Sequence, residues 1–191
     1  MMFGSSGPLA LTNSIRYYIP LMAQEIGLTS STGALMTAGF NISATLGRFG
    51  AGPLCDKLGP LNTLLLATTL NTATMAAIWP FASSLPPLVV FAVLNGIANG
   101  AFFTSFPTVV ASIVDVQEGA MALSMAMTGW SAGYLMGTPI AGYLLHPFKD
   151  ASSAIDPFRG AIWYSAGISC TAAIATAVAR LKRNSKLLKR L

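Results

Sequence analysis

Four polar side chains share one side of an otherwise apolar segment: Thr37, Asn41, Thr45 and Arg48, at i, i+4, i+8 and i+11. On an α-helix that spacing is a single stripe. Arginine presents a planar fork of donors that matches a carboxylate bidentately. The chemistry on offer is therefore recognition of a small organic anion. Arg48 stands about six residues before the end of its segment at Leu54. A guanidinium deep in a membrane costs at least about 2.5–3.5 kcal/mol, so it faces a cavity or a partner. Two readings are open: a cavity-lining stripe that receives the anion, or an Arg48 that snorkels to the headgroups or pairs with Asp56. Asn95 and Asn99, with Ser105, form a second polar set further along. Those amides either line the same cavity or bond neighbouring helices, an interaction worth only about 0.6–2 kcal/mol.

Other chemistries fail on context. Gly129-Trp130-Ser131-Ala132-Gly133 spells the G-x-S-x-G nucleophile elbow, but that motif follows a strand and here it lies in a long apolar run. The single histidine, His146, is about 22 Å further along a helix. The Asn41-Ile42-Ser43 sequon is buried in an apolar segment. No Cys/His metal cluster or phosphate-binding glycine loop is present, and all six acidic residues lie outside the apolar runs. The reading is a non-enzymatic chain with no catalytic residues, metal or cofactor. Cys55 and Cys170 suggest no disulfide framework. Met1–Ala10 lacks the basic start of a signal peptide.

The elements that must position the stripe are membrane helices. Hydrophobic residues make up 53% of the chain and charged residues 9%, against about 25% charged in soluble domains; mean hydropathy is +0.63. No charge or histidine occurs from Leu58 to Val114. One span needs roughly 20 apolar residues, so this run holds two, divided at Ser83-Ser84-Leu85-Pro86-Pro87. The predicted spans are 33–54, 61–81 (after the break at Leu58-Gly59-Pro60), 88–114, 119–145 and 160–179, with a partial helix over 1–22 and a basic tail over 180–191. The net charge of +5 is concentrated in that tail, at Arg180, Lys182, Arg183, Lys186, Lys189 and Arg190. This is a membrane anchor, with no nucleic-acid partner. Lys57 and the tail fall on one side of the membrane, against Arg16, Lys149 and Arg159 on the other. The positive-inside rule therefore makes the tail cytoplasmic. Gly96/Gly100 and Gly129/Gly133/Gly137 have small-xxx-small spacing for close helix packing. Pro107 and Pro139 mark kinks.

Gly47-Arg48-Phe49-Gly50-Ala51-Gly52-Pro53-Leu54-Cys55-Asp56-Lys57-Leu58-Gly59 resembles the G-R-x-x-x-G-x-L-x-D-[RK]-x-G signature of the major facilitator superfamily, in its fungal monocarboxylate-transporter-like branch. The stretch from Asn95 through Pro107-Thr-Val-Val-Ala is similar to that branch's tenth helix, and Gly133 through Gly142 to its eleventh. The resemblance implies an all-α membrane protein: the C-terminal six-helix bundle of a transporter, helices seven to twelve, multi-pass in the plasma membrane. It implies alternating access around a central cavity. Substrate contacts would fall to Arg48, Asn41, Thr45, Thr37, Asn95 and Asn99, and a conformational latch to Gly52, Asp56 and Lys57. Arg48 matches the arginine implicated in carboxylate binding and proton coupling; its aspartate partner four residues earlier is Ala44 here. After Gly59 the family's basic residues are replaced by Pro60-Leu61.

A complete transporter of this kind is about twice as long. The implied partners are membrane lipid, a small organic anion, and an N-terminal transporter half or another transporter chain. The competing reading is a non-transporting half that associates with a full-length relative and modulates it.

Overall fold

The computed structural model describes residues 29–81, 84–115, 117–129, 131, 135 and 156–183. The predicted partial helix over 1–22, most of 130–155 and the tail beyond 183 lie outside them. Among the described residues the regular structure is helical: α1 (Ser30–Leu58), α2 (Pro60–Ala77) with a short 3-10 turn (Trp79–Phe81), α3 (Leu85–Ala111) and α4 (Asp156–Arg183). Residues 119–129 are helical as well.

The boundaries follow from local chemistry. Gly59 ends α1 with φ at 91°, a conformation that glycine adopts without steric cost. Pro60 then opens α2 at a position where the missing N–H costs nothing. The break expected at Leu58-Gly59-Pro60 is present. Pro86 and Pro87 differ from the expectation: they occupy the first turn of α3 rather than the loop before it. A proline is tolerated there for the same reason, so α3 starts at Leu85 instead of 88. Pro53 and Pro107 sit inside α1 and α3, which continue through them. α4 is longer than the predicted 160–179 and takes in Arg180 and Lys182, which the sequence assigned to the tail.

Among the described residues, three helical stretches are long and apolar enough to cross a membrane: Pro60–Phe81, Leu85–Ala111 and Ile162–Lys182. α1 has 29 residues, but Arg48 and Asn41 lower its hydropathy below that of the other three. Several hydroxyls inside these helices are satisfied locally. Thr63, Thr68, Thr72 and Thr176 each donate to the carbonyl four residues earlier, so these four donors are paired without a neighbouring helix.

α3 is the central element, packed on α1 along one side and on α2 along another, while α2 carries α4. The α1–α3 crossing is backbone on backbone. A Cβ added at Gly100 would lie 1.9 Å from the Ala44 carbonyl oxygen, one at Gly47 2.2 Å from that of Ile97, and one at Gly96 2.6 Å from that of Phe40. The expected packing role of Gly96 and Gly100 is thus realised, with Gly47 as the third member. Gly133 and Gly137 lie outside the described residues. Behind the crossing, Leu61, Leu64, Phe102, Phe106, Val109, Ala126 and Ala172 join α2, α3, residues 119–129 and α4 in one apolar cluster. Trp79 stacks on Phe91, with ring centroids 5.3 Å apart.

Candidate functional site

The surface of α1 divides into three sectors. Gly33, Met36, Phe40, Ser43, Ala44, Gly47, Ala51 and Cys55 are buried. Leu35, Ile42, Leu46 and Phe49 are 72%, 63%, 61% and 76% exposed. Between these two lies the polar stripe, with Asn41, Thr45 and Arg48 exposed and Thr37 half-buried. At 3.6 residues per turn the polar and apolar exposed sectors are centred roughly 110° apart. They therefore look out on different surroundings, and only the apolar sector suits lipid.

The stripe's donors are unequal. Thr37 Oγ1 donates to the Gly33 carbonyl at 3.1 Å, and Thr45 Oγ1 to the Asn41 carbonyl at 3.0 Å. Each hydroxyl proton is thereby committed to its own helix, and the two threonines present acceptor lone pairs outward. The donors left to meet an anion are the Arg48 guanidinium and the Asn41 amide. Arg48 is steadied from the neighbouring helix: its guanidinium carbon lies 5.8 Å from the centroid of the Phe103 ring on α3, within cation–π range.

The place of Arg48 along α1 bears on its partners. Because α1 runs to Leu58, about 15 Å of helix lies between Arg48 and the helix end. A rise of about 12 Å separates Arg48 from Asp56 along the same helix, too far for a direct ion pair. Ala44, at the position where the resembling branch has an aspartate, is 7% exposed and faces Gly100. A carboxylate there would be forced into the tightest part of the α1–α3 crossing.

Asn95 turns toward α2 rather than toward the stripe. Asn95 is 2% exposed, and its Nδ2 donates to Asn71 Oδ1 at 3.0 Å and to Thr74 Oγ1 at 3.1 Å. Thr74 in turn donates to the Asn71 carbonyl at 2.8 Å. This α2–α3 node matches the interhelical reading of Asn95. Asn99 is buried on α3 at 5% exposure. Ser105 donates to the Ala101 carbonyl and accepts from the buried Cys55 thiol at 3.6 Å, which joins α1 to α3 below the glycine crossing. Asp56 and Lys57 are exposed at the end of α1, and open space surrounds the missing Cβ of Gly52. Nothing among the described residues requires a glycine at 52. A cavity of about 280 Å³ between α2, α3 and α4, lined by Leu61, Phe106, Val109 and Thr176 among others, is apolar and does not include Arg48.

Sequence reasoning missed Asn71, Thr74, Asn62 and Arg180 as polar contacts between helices. Asn71 was legible as an amide within an uncharged run. Arg180 was masked by position, because it follows an apolar run and begins a basic one.

Comparison with known proteins agrees with this architecture. The family model described as "Major Facilitator Superfamily" matches residues 2–190. An MFS-type transporter 1 of Ophiocordyceps sp. (strain BCC 1869) is 32% identical over 125 residues, 65% of this chain and 28% of the relative. The aspyridones efflux protein of Emericella nidulans is 29% identical over 157 residues, 78% of this chain and 32% of the relative. Monocarboxylate transporter 13 of Rattus norvegicus is 32% identical over 130 residues, 66% of this chain and 30% of the relative. The chain spans about a third of the length of the curated relatives it matches. Two of these relatives are named as transporters and one as an efflux protein, and the family match with the apolar helices makes this chain a multi-pass integral membrane protein. The chain belongs to the major facilitator superfamily.

Proposed function

We propose that this chain forms the C-terminal six-helix bundle of a transporter that moves a small organic anion, a monocarboxylate, by alternating access. The supporting observation is the three-sector surface of α1, with Arg48 about 15 Å of helix from its end on a polar face that lipid does not suit. A second bundle covers that face, and a water-filled path runs between the two. Arg48 takes the carboxylate with its fork, Asn41 adds an amide donor, and the outward lone pairs of Thr37 and Thr45 accept from a substrate hydroxyl or water. The name of the rat relative, a monocarboxylate transporter, supports this substrate class. Asp56, Lys57 and Gly52 form the latch that meets the other half. The bundle's glycine-tight α1–α3 crossing suits a body that rocks as a unit.

The substrate class is tested with the chain joined to an N-terminal six-helix half and reconstituted in liposomes. Short radiolabelled monocarboxylates are expected to enter saturably, and their neutral amides of equal size to enter at the rate of empty liposomes. Equal uptake of acid and amide contradicts the anion reading. In the proposed orientation the α1–α2 turn and the tail are cytoplasmic. A cysteine at position 58 should then react with an impermeant maleimide in inverted vesicles and not in intact cells; the opposite pattern reverses the orientation.

A further inference from the structure

Arg180 closes an apolar helix and precedes basic residues, the setting of a headgroup anchor, yet it is 1% exposed. Its neighbours Leu181 and Lys182 are exposed, so the chain does reach an open surface at this level. Arg180 instead turns inward, and its Nε donates to Asn62 Oδ1 on α2. The other end of that amide is used as well: Asn62 Nδ2 donates to the Leu58 carbonyl at 2.6 Å. A guanidinium needs an acceptor and a carbonyl needs a donor, so the two partners fix which way the amide points. Leu58 is the last residue of α1, and its carbonyl is one of those a helix end leaves without an intrahelical partner. The next residue is Gly59, with φ at 91°, and the two before it are Lys57 and Asp56.

We propose that Arg180 and Asn62 form a tie that fixes the Asp56–Gly59 turn to the end of α4, so that the turn moves with the bundle instead of swinging on Gly59. Arg180 and Asn62 are positioning residues: they act through the backbone of the turn and touch no substrate. A side chain that met only headgroups would not be buried, and one that filled space alone would not carry a charge out of water. The tie's consequence for transport rests on the reading of Asp56 and Lys57 as a latch. The tie itself does not, and its test uses no substrate.

The test follows the turn with a reporter cysteine, Leu58→Cys, in a Cys170→Ser background. Maleimide labelling rates are measured on the purified chain in detergent, and thermal midpoints are recorded alongside. Arg180→Met alone leaves Asn62 without its donor and is expected to lower the midpoint as well as raise labelling. Two further variants separate the tie from packing. Arg180→Met with Asn62→Leu removes both polar groups and is expected to restore the midpoint, yet to leave labelling about tenfold or more above the parent. Asn62→Asp keeps an acceptor for Arg180 but has no donor for the Leu58 carbonyl. It is expected to hold the midpoint and still raise labelling. Parental labelling in the double variant or in Asn62→Asp overturns the tie and leaves the pair as packing only. The Arg48 reading fails or stands separately, in uptake.

Discussion

Gly100→Ile is expected to separate α1 from α3 and to lower the thermal midpoint of the purified chain by roughly 6–12 °C. The cause is steric. Even a Cβ at this position would stand 1.9 Å from the Ala44 carbonyl oxygen and 3.0 Å from its Cα. Those atoms are helix backbone, which yields only if the whole helix moves. Forcing extra carbon into a well-packed contact costs typically 1–3 kcal/mol, occasionally more, and a clash with rigid backbone belongs at the upper end. A destabilisation of about 3 kcal/mol corresponds to the quoted fall in midpoint for a chain of this size. In lipid no hydrophobic gain offsets the separation, because helix association there depends on close packing. Gly39→Ala is the control, since nothing lies within 4 Å of its missing Cβ. It should be neutral or slightly stabilising, as alanine is the better helix former by up to about 1 kcal/mol. An unchanged midpoint for Gly100→Ile would mean that the crossing is looser than the backbone distances require.

Arg48→Ala, in the chain joined to an N-terminal half, is expected to reduce carboxylate uptake at low concentration by roughly 30-fold or more. Truncating one partner of a desolvated, hydrogen-bonded charge pair costs at least about 2 kcal/mol, and each 1.4 kcal/mol is about tenfold in affinity. Arg48→Lys keeps the charge but loses the planar fork of donors. It should fall between the two, with an apparent KM raised about tenfold, the scale of one charge-assisted hydrogen bond. Surface expression should be retained in both, because Arg48 is exposed and takes no part in the glycine crossing, meeting α3 at the Phe103 ring. Unaltered uptake by Arg48→Ala at normal expression would return Arg48 to a lipid-anchoring role.

Much of this architecture is legible in the sequence, and the reasons are physical. Charge is expelled from lipid, so the uncharged runs from Leu58 to Val114 and from Gly160 to Ala179 announce helices by composition alone. The turn at Gly59-Pro60 is equally plain, because one residue tolerates positive φ and the other opens a helix. The stripe is legible since period alone places Thr37, Asn41, Thr45 and Arg48 together. Burial is what the sequence hides. Asn95 and Arg48 both read as polar groups in apolar surroundings. Only the packing of α2 against α3 reveals that Asn95 is held by Asn71 and Thr74, while Arg48 stays on an outer face. Arg180 shows the same limit: composition assigns it to a tail, and tertiary contact turns it into the bundle. The commitment of the Thr37 and Thr45 hydroxyls to their own helix is likewise a matter of rotamer, which no spacing records.

In the proposed transporter the two exposed sectors of α1 face different media, water on the polar side and lipid on the apolar one. Cysteines introduced one at a time at 41 and 45 on the polar stripe, and at 42 and 46 on the apolar one, test this directly in a Cys55→Ser, Cys170→Ser background. The chain is joined to an N-terminal six-helix half in membranes and exposed to a charged, water-soluble thiol reagent with and without a short monocarboxylate. Rapid modification is expected at 41 and 45, slowed by the carboxylate, and little or none at 42 and 46, where the side chains meet lipid. Equal modification of the two sets, or modification at 42 and 46 with protection at 41 and 45, would contradict that arrangement.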